Sequence, residues 1–568
     1  MSIIENVVVD PAREQSLAQT TMLENLIPQT VTYHTAGHLL ILGAEDRIRL
    51  AAARLMASGN GMTSITLLAT EAISSQDEAH LEQVMAAADT TEALPAYYSR
   101  EVQLSGYLGQ FTALIREAEA ASPIELSLGA VRRPHYDLVL DLGAEPAIAL
   151  ELLPPGYFYV GDNDDKLTDA LTQLPELVGQ FDKPRYVTVN SAICAHHSSG
   201  IDGCTRCLNV CPADAISSVE GQITIDPFQC HGAGSCASAC PTGAIQYDQP
   251  TPTVLKDYLK RLLTRYQSLC DQRPVVLFHD QTLGEQALSQ LRQLPGQVLP
   301  VALEEVAVAG LDSWLATLAW GARQVLVLTT AETPPTLLEL VRSEHALAQQ
   351  LLEAVGVGAE RLCLIDTAQL DELAAMVARS AEMPVLPVAA FGKDLAKRET
   401  LFNALDHLNG AATGSIEVLD LNRVPYGEVC VDTDKCTLCM SCVSLCPTGA
   451  LQDGGDLPAI KFTEQPCVQC GLCEKACPEQ AISLHSRVLL DREARQQQRV
   501  LNEEAPFECI TCGKPFATQA VIKKMTTALA GHSAFAGEAA NRLKMCEDCR
   551  VKDMFTDILN DPEKQLRV

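Results

Sequence analysis

The chain has 568 residues, 47% of them hydrophobic, and a formal net charge of -30. That length predicts roughly three to five domains with real cores, and the charge excludes a general nucleic-acid binder, because phosphate repels such a surface. Its 22 cysteines point to metal ligation in a compartment that keeps thiols reduced.

The opening "MSIIENVVVDPAREQ" lacks the basic and apolar blocks of a secretory signal. The pair Arg132-Arg133 lies too deep for a twin-arginine signal, and no run reaches about 18 apolar residues. The expectation is a cytoplasmic protein without a membrane span. From residue 36, "HLLILG", "AEDRIRLAAARLMA" and "SITLLAT" read as strand, helix and strand, and "YDLVLDL" at 136 as another buried strand. They predict an α/β domain over 1–185, ending in a turn-rich link, "PPGYFYVG". Its first turn has a single glycine, Gly43, a weak dinucleotide signal.

One phrase then recurs four times: "CPADAI" at 211, "CPTGAI" at 240, "CPTGAL" at 446 and "CPEQAI" at 477. The later pair, in a module over 416–490, is complete. Cys436, Cys439, Cys442 and Cys446 stand at spacing 2-2-3 before a proline, and Cys467, Cys470, Cys473 and Cys477 repeat it. Three thiolates on one tight loop can grip three corners of an iron–sulfur cubane, while the fourth lies on the following helix and ligates the other cluster. The expected sets are therefore Cys436, Cys439, Cys442 with Cys477, and Cys467, Cys470, Cys473 with Cys446.

The earlier pair, in a module over 186–250, departs twice. In "ICAHHSSGIDGCTRCLNVCP" the first ligand place holds Ile201, and Cys194 takes the role if "AHHSSGI" is a seven-residue insertion. That gives one set of Cys194, Cys204, Cys207 and Cys240. His196 and His197 on the insertion are alternative ligands, or plain polar residues of an exposed loop. In "CHGAGSCASACP" the middle place holds Ala233, leaving Cys211, Cys230 and Cys236. This set is open between [3Fe-4S], a cubane completed by His231 or Asp226, and an empty site.

Between the modules, 251–415 alternates "PVVLFHD", "QVLPVAL", "QVLVLTT" and "RLCLID" with helical stretches. It reads as a doubly wound parallel sheet without G-x-G-x-x-G or a Walker lysine. Its expected role is a spacer that sets cluster spacing and docks partners. "DLAKRETLFNALDHL" bridges into the second module. The tail, 491–568, is charge-neutral and carries "CITC" and "CEDC". Cys509, Cys512, Cys546 and Cys549 predict a zinc-ribbon-like site, with rubredoxin-like iron as the alternative. Cys270, Cys363 and Cys430 are left over, Cys363 as a core residue and Cys430 as a spare ligand.

The complete module resembles a bacterial two-cluster ferredoxin throughout its length. The whole layout, with its long insert and the α/β segment between modules, resembles bacterial cytoplasmic multi-cluster iron–sulfur proteins that accompany formate dehydrogenases. The resemblance implies an electron-transfer component and not a stand-alone catalyst. It would carry three [4Fe-4S] clusters, the fourth site and one zinc, passing electrons between a donor such as formate dehydrogenase and an acceptor. No catalytic residues are expected. A flavin- or nucleotide-binding oxidoreductase fed by the clusters, and a regulatory or assembly protein acting through its zinc ribbon, are the competing readings. The fold expected is multidomain α/β and α+β, two ferredoxin modules interleaved with doubly wound α/β domains and followed by the four-cysteine tail.

Overall fold

The computed structural model describes residues 10–23, 28–59, 61–73, 77–116, 122–411, 416–535 and 537–560. The first sheet joins β1 (His38–Ala44), β2 (Ser64–Glu71), β3 (Ala96–Tyr98), β4 (Leu138–Leu142) and β5 (Tyr157–Tyr159), all parallel, in the order β3-β2-β1-β4-β5. Its central strands are mostly apolar because both faces are covered: Leu39, Leu40 and Ile41 have no exposed surface. "PPGYFYVG" is not the link expected of it. Its Tyr157–Tyr159 pairs with 139–141, and the Tyr157 hydroxyl donates to the buried Asp141 carboxylate at 2.5 Å.

In a sheet of this order, ligands bind beyond the strand ends between β1 and β4. There the helix Glu45–Ala57 begins with two carboxylates, Glu45 and Asp46, and Arg47 closes the gap onto the Leu142 carbonyl and Asp162. Carboxylates at a helix N-terminus repel the phosphate that a dinucleotide would place there.

The second sheet joins β6 (Val275–Asp280), β7 (Val298–Leu303), β8 (Gln324–Thr329) and β9 (Leu362–Asp366), parallel, in the order β7-β6-β8-β9. All four predicted runs form strands. The helix Leu311–Ala319 is buried along its whole length, with Lys397–Ala411 packed upon it. The helix Pro11–Gln19 also belongs to this core. Ala12 packs among Leu259, Leu262 and Leu299, and Arg13 donates to the carbonyls of Leu294 and Pro295 at 3.1 and 3.2 Å.

The crevice of this sheet, between β6 and β8, is filled from within. The loop after β7 turns at Val306–Val308 against both strands, burying Val306 and Ala307. The first cysteine module sits on that turn through its helix Ser235–Ala239, with the Ser238 hydroxyl donating to the Ala307 carbonyl at 2.5 Å. Gly234 (φ +74°) permits the contact, since a Cβ there would lie 2.9 Å from the Val308 nitrogen.

On the same loop, burial and then the carboxylates of Asp280 and Glu304 push Glu305 up to about 7. A carboxyl raised in the folded state costs stability as pH climbs from its unfolded value toward 7, because the native state binds the extra proton. Glu305→Gln is therefore expected to match the parent near pH 4 and to exceed it at pH 8 by roughly 1–2 kcal/mol after solvent screening. Thermal melts at both pH values check this. Among the described residues, no helix is long and apolar enough to cross a membrane.

Candidate metal centres

Three loops share an unusual backbone. Leu438 (φ 54°) and Met440 (φ 62°) bracket Cys439, Gln469 (φ 52°) and Gly471 (φ 84°) bracket Cys470, and Gly232 (φ 79°) and Gly234 (φ 74°) bracket Ala233. Left-handed conformation disfavours residues with a Cβ, so Leu438, Met440 and Gln469 are held there by their surroundings. The loop with alanine in the middle keeps the path of the two that have cysteine.

The loops and the helices after them gather thiols into groups. Cys442 is pushed up to about 12 by burial and then by the sulfurs of Cys436, Cys439 and Cys477. Cys473 is raised by burial and then by Cys467, Cys470 and Cys446. In the first module Cys207 is pushed up to about 12 by burial and then by Cys204, Cys240 and Cys194. Cys236 is raised by burial and then by Cys230 and Cys211. In each group one cysteine comes from the opposite half of its module. Crowded, buried thiols that resist ionisation on their own are suited to a cationic centre that replaces their protons.

Backbone amides point at several of these sulfurs. The N–H of Ala215 donates to Cys211 Sγ and that of Ala481 to Cys477 Sγ, both at 3.3 Å. Leu451 N–H reaches Cys446 Sγ and Leu438 N–H reaches Cys436 Sγ, both at 3.5 Å. Ala215 and Ala481 are the alanines of the repeated phrase, so the repeat encodes donors as well as ligands. Such bonds tune the potential of a thiolate-held cluster.

The three-cysteine group lines one cavity together with His231, Ala233, Ile216 and Ile225. Of the two substitute ligands considered, Asp226 is engaged, its Oδ1 accepting from the N–H groups of Phe228 and Gln229. His231 has a buried Nε2 with no partner, and burial followed by the nearby Lys183 lowers it to about 4, so the ring is neutral.

The inserted histidines are not ligands. His196 is buried, not exposed; Nδ1 bonds the Cys204 carbonyl and Nε2 the Ser218 hydroxyl, each at 2.8 Å. His197 bonds Asp202 through Nδ1 at 2.8 Å and accepts from the Gly200 N–H through Nε2. With every ring nitrogen spent on protein, these residues build the insertion, a hairpin of His197–Ser198 with Ile201–Asp202.

That hairpin makes a contact between modules that no spacing pattern discloses. Its end, Asp202-Gly203, presses on the second module's helix Leu472–Lys475, and Lys475 Nζ donates to the Asp202 carbonyl at 2.7 Å. A Cβ at Gly203 would lie 2.8 Å from Leu472 Cγ and 2.6 Å from the Ala195 carbonyl oxygen. Beside the contact, Cys470 is pushed up to about 11 by burial and then by sulfurs that include Cys204 of the other module. Arg398 was also silent in the sequence. It lies under the second module with its guanidinium on the carbonyls of Pro425, Gln465 and Cys467.

In the tail, the sulfurs of Cys509, Cys512, Cys546 and Cys549 all lie within 4.8 Å of one another. Sulfurs placed about 2.3 Å from one tetrahedral ion stand about this close. The group therefore suits a single ion and is too tight for a cluster. Of the spare cysteines, Cys363 lies half-buried in β9 and donates to the Glu360 carbonyl, and Cys430 is exposed.

Residues 202–244 and 435–482 match two family models, each described as a 4Fe-4S dicluster domain. Over 55 residues the chain is 38% identical to a protein named Ferredoxin 7Fe from Hydrogenibacillus schlegelii, covering 10% of this chain and 70% of that one. The chain belongs to the ferredoxin-type iron–sulfur proteins. Its two ferredoxin modules are [4Fe-4S] modules with an electron-transfer role. It is also 42% identical over 52 residues to a Thermotoga maritima protein named Pyruvate synthase subunit PorD, and 50% identical over 40 residues to an Escherichia coli protein named Putative electron transport protein YsaA. These matches cover 9% and 7% of this chain, and the chain spans 50% and 26% of those relatives' length.

Proposed function

We propose that this ferredoxin-type protein is a four-site electron relay, with the α/β sheets as its frame. The carrying observation is the seam between the modules, where Gly203 meets Leu472 and the Cys204 and Cys470 sulfurs are neighbours. Within modules, Cys236 has Cys207 as a neighbour and Cys473 has Cys442. The order is then the Cys211/Cys230/Cys236 set, the Cys194/Cys204/Cys207/Cys240 set, the Cys446/Cys467/Cys470/Cys473 set and the Cys436/Cys439/Cys442/Cys477 set. Clusters bound there each supply one-electron storage. The chain's part is to hold the thiolates, aim N–H donors at them and set their distances.

Three sets have four thiols and take [4Fe-4S]. The set at Ala233 takes [3Fe-4S], a reading supported by its intact loop with one thiol missing and by the name Ferredoxin 7Fe of a relative. The tail site takes zinc. The filled crevice of the second sheet and the acidic helix start of the first favour a frame over flavin or nucleotide binding. Redox proteins are the partners. A formate dehydrogenase as donor is favoured by the overall layout, a cytoplasmic setting by the density of thiols, and the -30 charge suits a partner with a basic docking patch.

Electron paramagnetic resonance of anaerobically purified protein, with iron and zinc quantified, tests this reading. The expected result is a three-iron signal as isolated, further signals after dithionite, and one zinc. Iron near zero would refute the relay. Cys546→Ser is expected to release the tail's ion and open the tail to proteolysis, since such ions supply much of a small domain's folding energy. Zinc content and limited digestion read the outcome.

A further inference from the structure

A cleft of about 510 Å³ is lined from both modules, within the size range of small-molecule sites. Its apolar lining is Ala396 with Ile193, Pro447, Pro466 and Val468, the last four each adjacent in sequence to a cysteine of the two central sets, and Thr463, Gln465 and Gln496 add neutral polar groups. Two equivalent threonines face it, one from each module: Thr242 and Thr448, the third residues of "CPTGAI" and "CPTGAL". The Thr242 hydroxyl stands 3.5 Å from Cys240 Sγ and the Thr448 hydroxyl 3.8 Å from Cys446 Sγ. The Thr242 hydroxyl oxygen also accepts from the Ala244 N–H at 3.2 Å, and either hydroxyl can turn its proton from the sulfur to an acceptor in the cleft.

The charged side chains lining the cleft do not provide a free cation. Arg398 spends its guanidinium on three carbonyls, and Glu399 accepts from the Ala396 N–H at 3.2 Å. A phosphate would meet hydroxyls and amides there but no cation turned toward it. The lining suits a flat neutral ring with apolar faces and one acceptor directed to each module.

We infer that the cleft binds a neutral para-quinone, its two carbonyl oxygens accepting from Thr242 and Thr448. The site lies beside the middle of the chain of sets and not at either end. The inference rests on the relay reading for its purpose, and on the cleft's own residues for its chemistry.

The test is anaerobic calorimetry of duroquinone, a fully substituted quinone that does not add to thiols, with oxidised, full-length protein of measured iron content. Flavin mononucleotide is the charged comparison. The expected result is saturable 1:1 binding of duroquinone, weakened at least tenfold in Thr242→Val and Thr448→Val, with flavin mononucleotide binding more weakly. Ile193→Trp, at a position 38% exposed and able to take a larger side chain, is expected to block binding with iron content unchanged. Iron-replete protein that ignores duroquinone, or binds it equally in all three variants, overturns the cleft and leaves the relay standing. Tighter binding of flavin mononucleotide overturns the neutral-ring assignment. Protein purified without iron refutes the relay, an outcome read separately by metal analysis.

Discussion

A Gly203→Leu protein is expected to keep its iron and lose the magnetic coupling between its two modules. The residue precedes Cys204, and the closest atoms to its missing side chain are the Ala195 carbonyl and Leu472, which itself precedes Cys473. A leucine cannot fit 2.8 Å from Leu472, so the hairpin end must lift away from the helix Leu472–Lys475, while the 2.6 Å approach to the Ala195 carbonyl is relieved by a shift within the first module. Each module's thiol groups lie within its own loops and should bind iron as before. In fully reduced protein, neighbouring paramagnetic centres broaden one another's resonance signals, and this broadening should shrink when the seam opens. Leu472→Ala in the same chain removes one of the two clashes and should restore part of it. Unaltered coupling in an iron-replete Gly203→Leu protein would mean that the modules do not communicate at this seam.

Ala233→Cys has the second large effect. The loop already carries left-handed residues on both sides of position 233, as the loops at Cys439 and Cys470 do, so a thiol there arrives on a prepared backbone. The expected result is about one more iron per chain and loss of the three-iron signal from the protein as isolated. Persistence of that signal with unchanged iron would show that the loop cannot bring the new sulfur to the centre. His231 supplies the control. If its unpartnered Nε2 completes the parent site, His231→Ala and not Ala233→Cys changes the iron count.

The parts legible in the sequence were those written in short range. The 2-2-3 cysteine spacing names loops whose thiols the fold gathers, and the long apolar runs at 275–280 and 324–329 become strands covered on both faces. Tyr157–Tyr159 reads as a link because three residues among prolines and glycines carry no periodicity, and only pairing with 139–141 makes them a strand. His196 reads as exposed because it stands in a polar stretch; its burial comes with the bond to Ser218, 22 residues away. The contacts of Gly203 with Leu472 and of Arg398 with Cys467 span 269 and 69 residues, and no local pattern records them.

The helix Pro11–Gln19 has a consequence for how the protein comes apart. It lies against the second sheet, while the first sheet and first module intervene in the chain. Removing it would uncover the Leu259 and Leu262 face and take away the Arg13 clasp on Leu294 and Pro295, although that core is some 240 residues downstream. This helix thus serves as a latch on a later part of the chain. A nascent chain must hold that helix in waiting until the second sheet has been synthesised, and a ferredoxin module has to fold inside a loop that is still open.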